Sequence, residues 1–187
     1  NPEVVEALMD NVEIIDNSEF IKQVLGNHIT GTTIGHFGEP NQYFGGDNLI
    51  LMSSDAGGFK PLMKLCDKIN WQGETYSASK ARTKDGMKQF IDRQDFEGKD
   101  ILIIDDISVY GGTFKGLSKL LRERNCGKLY LAVSHITVQN LGNNPVTNYF
   151  DKVFTTNSKF DEYYTYFDNL NTNRCKTPTN LEIIKLF

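Results

Sequence analysis

Four apolar residues in succession, Ile101, Leu102, Ile103 and Ile104, run directly into two carboxylates, Asp105 and Asp106, and then into a short turn that carries Gly111, Gly112 and Thr113. A run with no polar face can be a strand only if both of its sides are covered, which is the situation of a central parallel strand between two layers of helix. The rest of the chain agrees with that demand. Residues 48–53 read as a second buried strand, and 59–69 as its helix, with Leu62, Leu65, Cys66 and Ile69 at helical spacing. Residues 74–79, 129–134 and 151–155 read as further strands, 113–124 as another helix, and 181–186 as an edge strand. Alternating strands and helices predict an α/β fold with a parallel, Rossmann-like sheet and helices on both faces.

Composition bounds the size of this fold. A chain of 187 residues with 39% apolar side chains supports one sizeable core, so residues 1–187 are expected to form a single domain. Its lead-in, residues 1–25, is expected to hold two helices at 4–9 and 18–25, the second opened by Ser18 as N-cap. Residues 26–47 are glycine-rich and lack periodicity, which predicts a loop or hairpin. A net charge of −4 without any long block of like charges excludes a broad electrostatic footprint for nucleic acid or an anionic membrane. With no long apolar stretch and no signal-peptide pattern, the expectation is a cytoplasmic chain. Cys66, Cys126 and Cys175 have neither the number nor the spacing of a disulfide framework or zinc knuckle.

Chemistry is expected beyond the carboxyl ends of the strands, where loops vary freely and helix N-termini point outward. Three clusters fall there. In the first, Asp105 and Asp106 suit a vicinal diol or a hydrated Mg²⁺, while Gly111 and Gly112 let backbone N–H groups approach a phosphate. Diol plus phosphate describes a ribose phosphate; composition alone equally allows a strand cap followed by a turn. The second cluster is Ser53-Ser54-Asp55-Ala56-Gly57-Gly58, about fifty residues upstream. The third, Ser79-Lys80-Ala81-Arg82-Thr83-Lys84, sets three cations within five positions of an otherwise acidic protein. His135, after the strand 129–134, reads as a core histidine hydrogen-bonded to a neighbouring loop or as a ligand. His28 and His36 lack the partners of a metal site, and the aromatic cluster 160–167 reads as packing or an oligomer contact.

Four apolar residues, two acids and a short loop ending in Gly-Thr resemble the signature of phosphoribosyl-diphosphate-binding proteins. The DAGG cluster ahead of it is similar to that of the ribose-phosphate diphosphokinases, and Lys80 and Arg82 resemble the cations at the base of that family's flexible catalytic loop. The likeness runs from about Asp10 to Phe187 and matches the second half of a two-half enzyme, in a phosphoribosyltransferase-like fold. It implies transfer of diphosphate from Mg-ATP to ribose 5-phosphate, with Mg²⁺ as cofactor. Asp55, Asp105, Asp106, Ser108, Gly111, Gly112 and Thr113 would then bind ribose 5-phosphate, Asp55 also the metal, and Lys80 and Arg82 would be catalytic. It implies a homo-oligomer, at least a dimer. The chain departs from the family at Val109 and Tyr110, where an acid and a small hydroxyl are usual. Two other expectations stay open: a phosphoribosyltransferase, against which the DAGG cluster and Val109 stand, and a non-catalytic partner of an active synthetase, which the departure supports.

Overall fold

The computed structural model describes residues 16–29, 33–34, 43–84, 86–137, 144–159 and 178–186. The expected helix at 4–9, much of the glycine-rich segment with His36, the aromatic cluster 160–167 and Cys175 lie outside these residues.

The chain enters through helix α1 (Asn17–Gln23), which continues into a widened turn, Val24–His28. Two short paired strands, β1 (Thr33–Ile34) and β2 (Tyr43–Phe44), precede β3 (Leu49–Ser53) and helix α2 (Ala56–Lys68). Strand β4 (Glu74–Ser77) leads into an antiparallel hairpin, β5 (Ser79–Thr83) and β6 (Gly86–Phe90). Then come β7 (Asp100–Ser108), α3 (Gly112–Glu123), β8 (Leu129–Ile136), β9 (Lys152–Thr156) and β10 (Leu181–Ile184). Six strands make the main sheet in the order β10-β9-β8-β7-β3-β4, with every pairing parallel. The expected edge strand near the C-terminus is β10, at one margin of the sheet.

Side chains on successive residues of a strand alternate between faces, and the two cores follow from that alternation. Ile101 and Ile103 of β7 join Ile50, Met52, Leu129, Leu131 and Val133 on one face, covered by Phe114, Leu117 and Leu121 of α3. Leu102 and Ile104 join Leu49, Leu51, Tyr130 and Ala132 on the other, covered by Phe20 and Ile21 of α1 and by Leu62, Leu65 and Cys66 of α2. Helices therefore lie on both faces, as the unbroken apolar run requires. Among the described residues, no helix is long and apolar enough to cross a membrane.

Two elements differ from the sequence reading. Helix α1 is capped by Asp16 rather than Ser18: the Asp16 carboxylate accepts from the Ser18 N–H at 2.7 Å. A carboxylate there satisfies an orphan donor and also opposes the positive end of the helix dipole, which a hydroxyl cannot do. Strand β7 does not stop at the two acids but stays paired with β8 as far as Ser108↔Ile136.

Replacing Ile103 by Ala, in the centre of the sheet and with no exposed surface, is expected to cost roughly 2–5 kcal/mol in urea denaturation, because the covered strand cannot collapse into the space left.

Candidate functional site

The strand order reverses direction between β3 and β7: the chain steps from β3 outward to β4, then returns to the opposite side of β3 to place β7. Such a switch point opens a crevice at the carboxyl ends of the two strands. The DAGG cluster ends β3 and the two acids lie near the end of β7, so register alone brings together groups fifty residues apart. Ser53 pairs with Ile104, immediately before Asp105.

Asp55 sits at the hub. Its backbone is extended (φ −161°, ψ 175°), the conformation of an N-cap, and its Oδ1 accepts from the Gly58 N–H at 3.1 Å. The hydroxyls of Ser53 and Ser77 converge on its carbonyl at 3.0 and 3.2 Å, tying it to both β3 and β4. Its Oδ2 accepts from Lys80 Nζ at 2.7 Å. The ammonium of Lys80, with help from the Gly58 and Gly57 N–H groups and against some burial, holds the Asp55 carboxyl below its ordinary value. The glycines after it are closely fitted: a Cβ on Gly58 would stand 3.2 Å from that of Ser53.

Asp105 is held differently. Ser54 Oγ donates to its Oδ2 at 2.5 Å, and the Asp106 N–H donates to its Oδ1 at 2.9 Å. Burial raises its carboxyl above the ordinary value, in opposition to those two bonds and with the adjacent Asp106 acting in the same direction as burial. Raised protonation at a concave site is a physical marker of function. Asp106 is exposed.

Lys80, Asp105, Asp106, Gly111, Gly112 and Thr113 all border one cleft of about 380 Å³, whose lip carries Ile107, Val109 and Tyr110. Gly111 caps α3 with φ +70°, a left-handed conformation that favours glycine. Lys80 also borders a second cleft, of about 440 Å³, between the hairpin and α3, where it is joined by Lys88 and Lys119. Gly57 and Gly58 share a third, of about 610 Å³, with the two acids.

One expected site residue is placed otherwise. Ser108, expected at the phosphate, is 1% exposed and does not line the 380 Å³ cleft, because the extension of β7 carries it into the sheet. Asp55, expected to hold Mg²⁺, already accepts a hydrogen bond at each carboxylate oxygen, one from the helix it caps and one from Lys80. Among the described residues no group of three or more acids, histidines or cysteines is arranged to hold a metal ion. Arg82 lies on β5 opposite Met87, and its side chain is outside the described residues. Ser54, by contrast, joins the site without having been expected there; its partner Asp105 is 51 positions away, and no local pattern announces the pairing.

Other sequence candidates fall outside the crevice. His135 is exposed, with Nδ1 2.6 Å from Ser158 Oγ. His28 does find an acid, Glu182 at 2.9 Å; burial, ahead of the opposing Glu182, lowers its ring below the ordinary value. Cys66 and Cys126 are free thiols, and burial pushes Cys66 up to about 11, far from reactive thiolate.

Residues 27–167 match the family model described as the phosphoribosyl transferase domain. The chain belongs to the phosphoribosyl transferase domain family. Within this family it is 29% identical over 119 residues to a protein of Chlorobaculum tepidum named ribose-phosphate pyrophosphokinase, covering 63% of this chain and 36% of that one. It is 32% identical over 100 residues to a protein of the same name from Listeria ivanovii, covering 51% of this chain and 31% of that protein. The chain thus spans less than half the length of these relatives. Phosphoribosylpyrophosphate synthetase from Mycobacterium smegmatis has a similar fold, with a TM-score of 0.58 at 18% identity over 91% of this chain and 46% of that one. This phosphoribosyl transferase domain places its acids and its glycine turn at the switch point of a six-stranded sheet.

The Asp55–Lys80 pair carries a pH dependence. Since the folded carboxyl titrates below its unfolded value, the pair's contribution is complete above the usual carboxylate pKa of about 3.9 and disappears as pH falls through the lower folded value. Asp55→Asn keeps an oxygen for the α2 cap and removes the charge. At neutral pH it is expected to speed hydrogen exchange in the β5–β6 hairpin severalfold, as loss of a partly exposed ion pair of up to about 1 kcal/mol should, with α2 unchanged. In strong acid the wild-type hairpin should exchange like the variant.

Proposed function

We propose that this chain is a single phosphoribosyltransferase-like domain, the second half of a ribose-phosphate diphosphokinase. It would help transfer diphosphate from Mg-ATP to ribose 5-phosphate, giving phosphoribosyl diphosphate and AMP. The observation that carries this reading is the meeting of three sequence clusters at one crevice: the DAGG acid Asp55 bonded to the hairpin cation Lys80, and Lys80 bordering the same cleft as Asp105, Asp106 and the Gly111–Thr113 turn. A transferase that passes ribose to a base has use for the acids, the turn and cations facing its diphosphate leaving group; what speaks for the diphosphokinase is the DAGG cluster, whose acid anchors the hairpin cation.

In this reading Asp105 and Asp106 hold the ribose hydroxyls, and Gly111, Gly112 and Thr113 hold the 5-phosphate at the amino end of α3. The C1 hydroxyl attacks the β-phosphorus of ATP, the bond from that phosphorus to the α–β bridging oxygen breaks, and AMP leaves with no covalent enzyme intermediate. Lys80 and Arg82 meet the charge that spreads over the transferred group. Magnesium bound with ATP would supply counter-charge to the triphosphate; Asp55, the residue expected to hold it, also orients Lys80. A hairpin that opens and closes over the cleft would exclude water from the transfer. A cytoplasmic homo-oligomer suits the reading.

The second reading is a synthetase-like partner that binds a sugar phosphate without turning it over. Val109 and Tyr110, 39% and 73% exposed at the lip of the cleft, are what favour it.

Calorimetric titration of ribose 5-phosphate in the presence of Mg²⁺ is expected to show binding to the chain and none to Asp105→Asn/Asp106→Asn. Absence of binding to the wild-type chain would sink the sugar-phosphate assignment. In a full-length protein with diphosphokinase turnover, Lys80→Ala should reduce kcat by more than about tenfold, roughly 1.4 kcal/mol of transition-state stabilisation; a smaller loss would remove Lys80 from the chemistry. Binding without turnover in the full-length protein would favour the partner reading.

A further inference from the structure

Val109 and Tyr110 leave the turn before Gly111 without the acid and small hydroxyl usual in its relatives, so beside the Thr113 hydroxyl the phosphate end of the cleft depends on the backbone. How that backbone is held is therefore decisive. The donors that hold it belong to two residues behind the turn. Thr137 donates its N–H to the Ser108 carbonyl at 3.1 Å and its hydroxyl to the Val109 carbonyl at 2.6 Å. Lys115 donates its ammonium to the Tyr110 carbonyl at 3.2 Å and its N–H to the Gly111 carbonyl at 2.9 Å. The same ammonium donates to the Asn144 carbonyl at 2.6 Å, fastening the turn to the connection between β8 and β9.

Four successive carbonyls, 108 to 111, are thus occupied, and neither Thr137 nor Lys115 lines the 380 Å³ cleft that the turn itself borders. In a planar trans peptide the N–H points opposite to the C=O. The N–H groups of Val109, Tyr110, Gly111 and Gly112 therefore point away from the ties, on a turn that itself borders the cleft. From Val109 to Thr113 no backbone N–H has an acceptor among the described residues. A file of unsatisfied N–H groups ahead of a helix is an anion-binding concavity.

We propose that Lys115 and Thr137 are positioning residues that hold this backbone nest open for the 5-phosphate, in place of the small hydroxyl usual where Tyr110 stands. The proposal rests on the ribose 5-phosphate reading of the cleft. Lys115 contributes through its two carbonyl ties and Thr137 through its hydroxyl, and neither touches the ligand. Lys115 also explains how a bulky tyrosine is tolerated: the Tyr110 backbone is pinned while its side chain projects into solvent.

The test is calorimetry of ribose 5-phosphate binding to the wild-type chain, Thr137→Val, Thr137→Ser and Lys115→Met, with thermal melting of each. Thr137→Val and Lys115→Met are each expected to weaken binding about tenfold or more, equivalent to about 1.4 kcal/mol. Thr137→Ser, which keeps the hydroxyl, should stay within about twofold of wild type. Since Thr137→Val changes no charge, its loss cannot be electrostatic. Folded Thr137→Val and Lys115→Met variants that bind like wild type would overturn the positioning role and leave the sugar-phosphate reading standing. Thr137→Ser as weak as Thr137→Val would also overturn it, because the hydroxyl would then not be what holds the turn. A wild-type chain that binds no ribose 5-phosphate would remove the reading and the proposal together. If Thr137→Val fails to melt cooperatively, the comparison of Lys115→Met with wild type decides.

Discussion

The parallel pairing of β7 with β3 on one side and β8 on the other is the constraint from which the rest of the molecule follows. Because Ile101 to Ile104 are apolar on every face, the strand is stable only with a core on each side. That requires α3 on one face and α1 with α2 on the other. It also sets the register in which Ser53 stands beside Ile104. Once that register exists, the polar residues that terminate the two strands have no option but to meet. Ser54 and Asp105, and through Asp55 the hairpin cation Lys80, become neighbours because the apolar residues before them are.

In an acidic protein, a cleft that gathers cations is set apart from the rest of the surface. Here the concentration is structural rather than compositional: Lys80 is held by Asp55 at the border of two clefts, and Lys88 and Lys119 line the larger of the two. The two key carboxyls are driven in opposite directions, Asp55 downward by its lysine and Asp105 upward by burial. Groups of the same chemical type thus acquire different properties from their surroundings: Asp55 is a lysine-paired anion, while Asp105 is a partly buried carboxyl beside a second acid.

The departure at Val109 and Tyr110 gains a physical account. Both side chains are exposed where they border the cleft. The Thr113 hydroxyl and the backbone remain, and the backbone carbonyls are held by Thr137 and Lys115. A turn held in this way can change its side chains and keep its donor geometry.

Periodicity in the sequence was enough to determine the alternation of strands and helices, the two-sided burial of the central strand and the presence of acids, glycines and cations at strand ends. Those are local properties, fixed by spacings of two and 3.6 residues and by turn chemistry. Tertiary structure decided the rest. The extension of β7 through Asp105 and Asp106 to Ser108 depends on pairing with Ile136 on β8, and it moved Ser108 from an expected phosphate ligand to a buried position. The Asp55–Lys80 pair, the Ser54–Asp105 bond and the tie from Thr137 to the Val109 carbonyl are invisible to any local pattern. The reason is physical: hydrogen bonds between residues 25 to 51 positions apart exist only once the sheet has set which strands are neighbours.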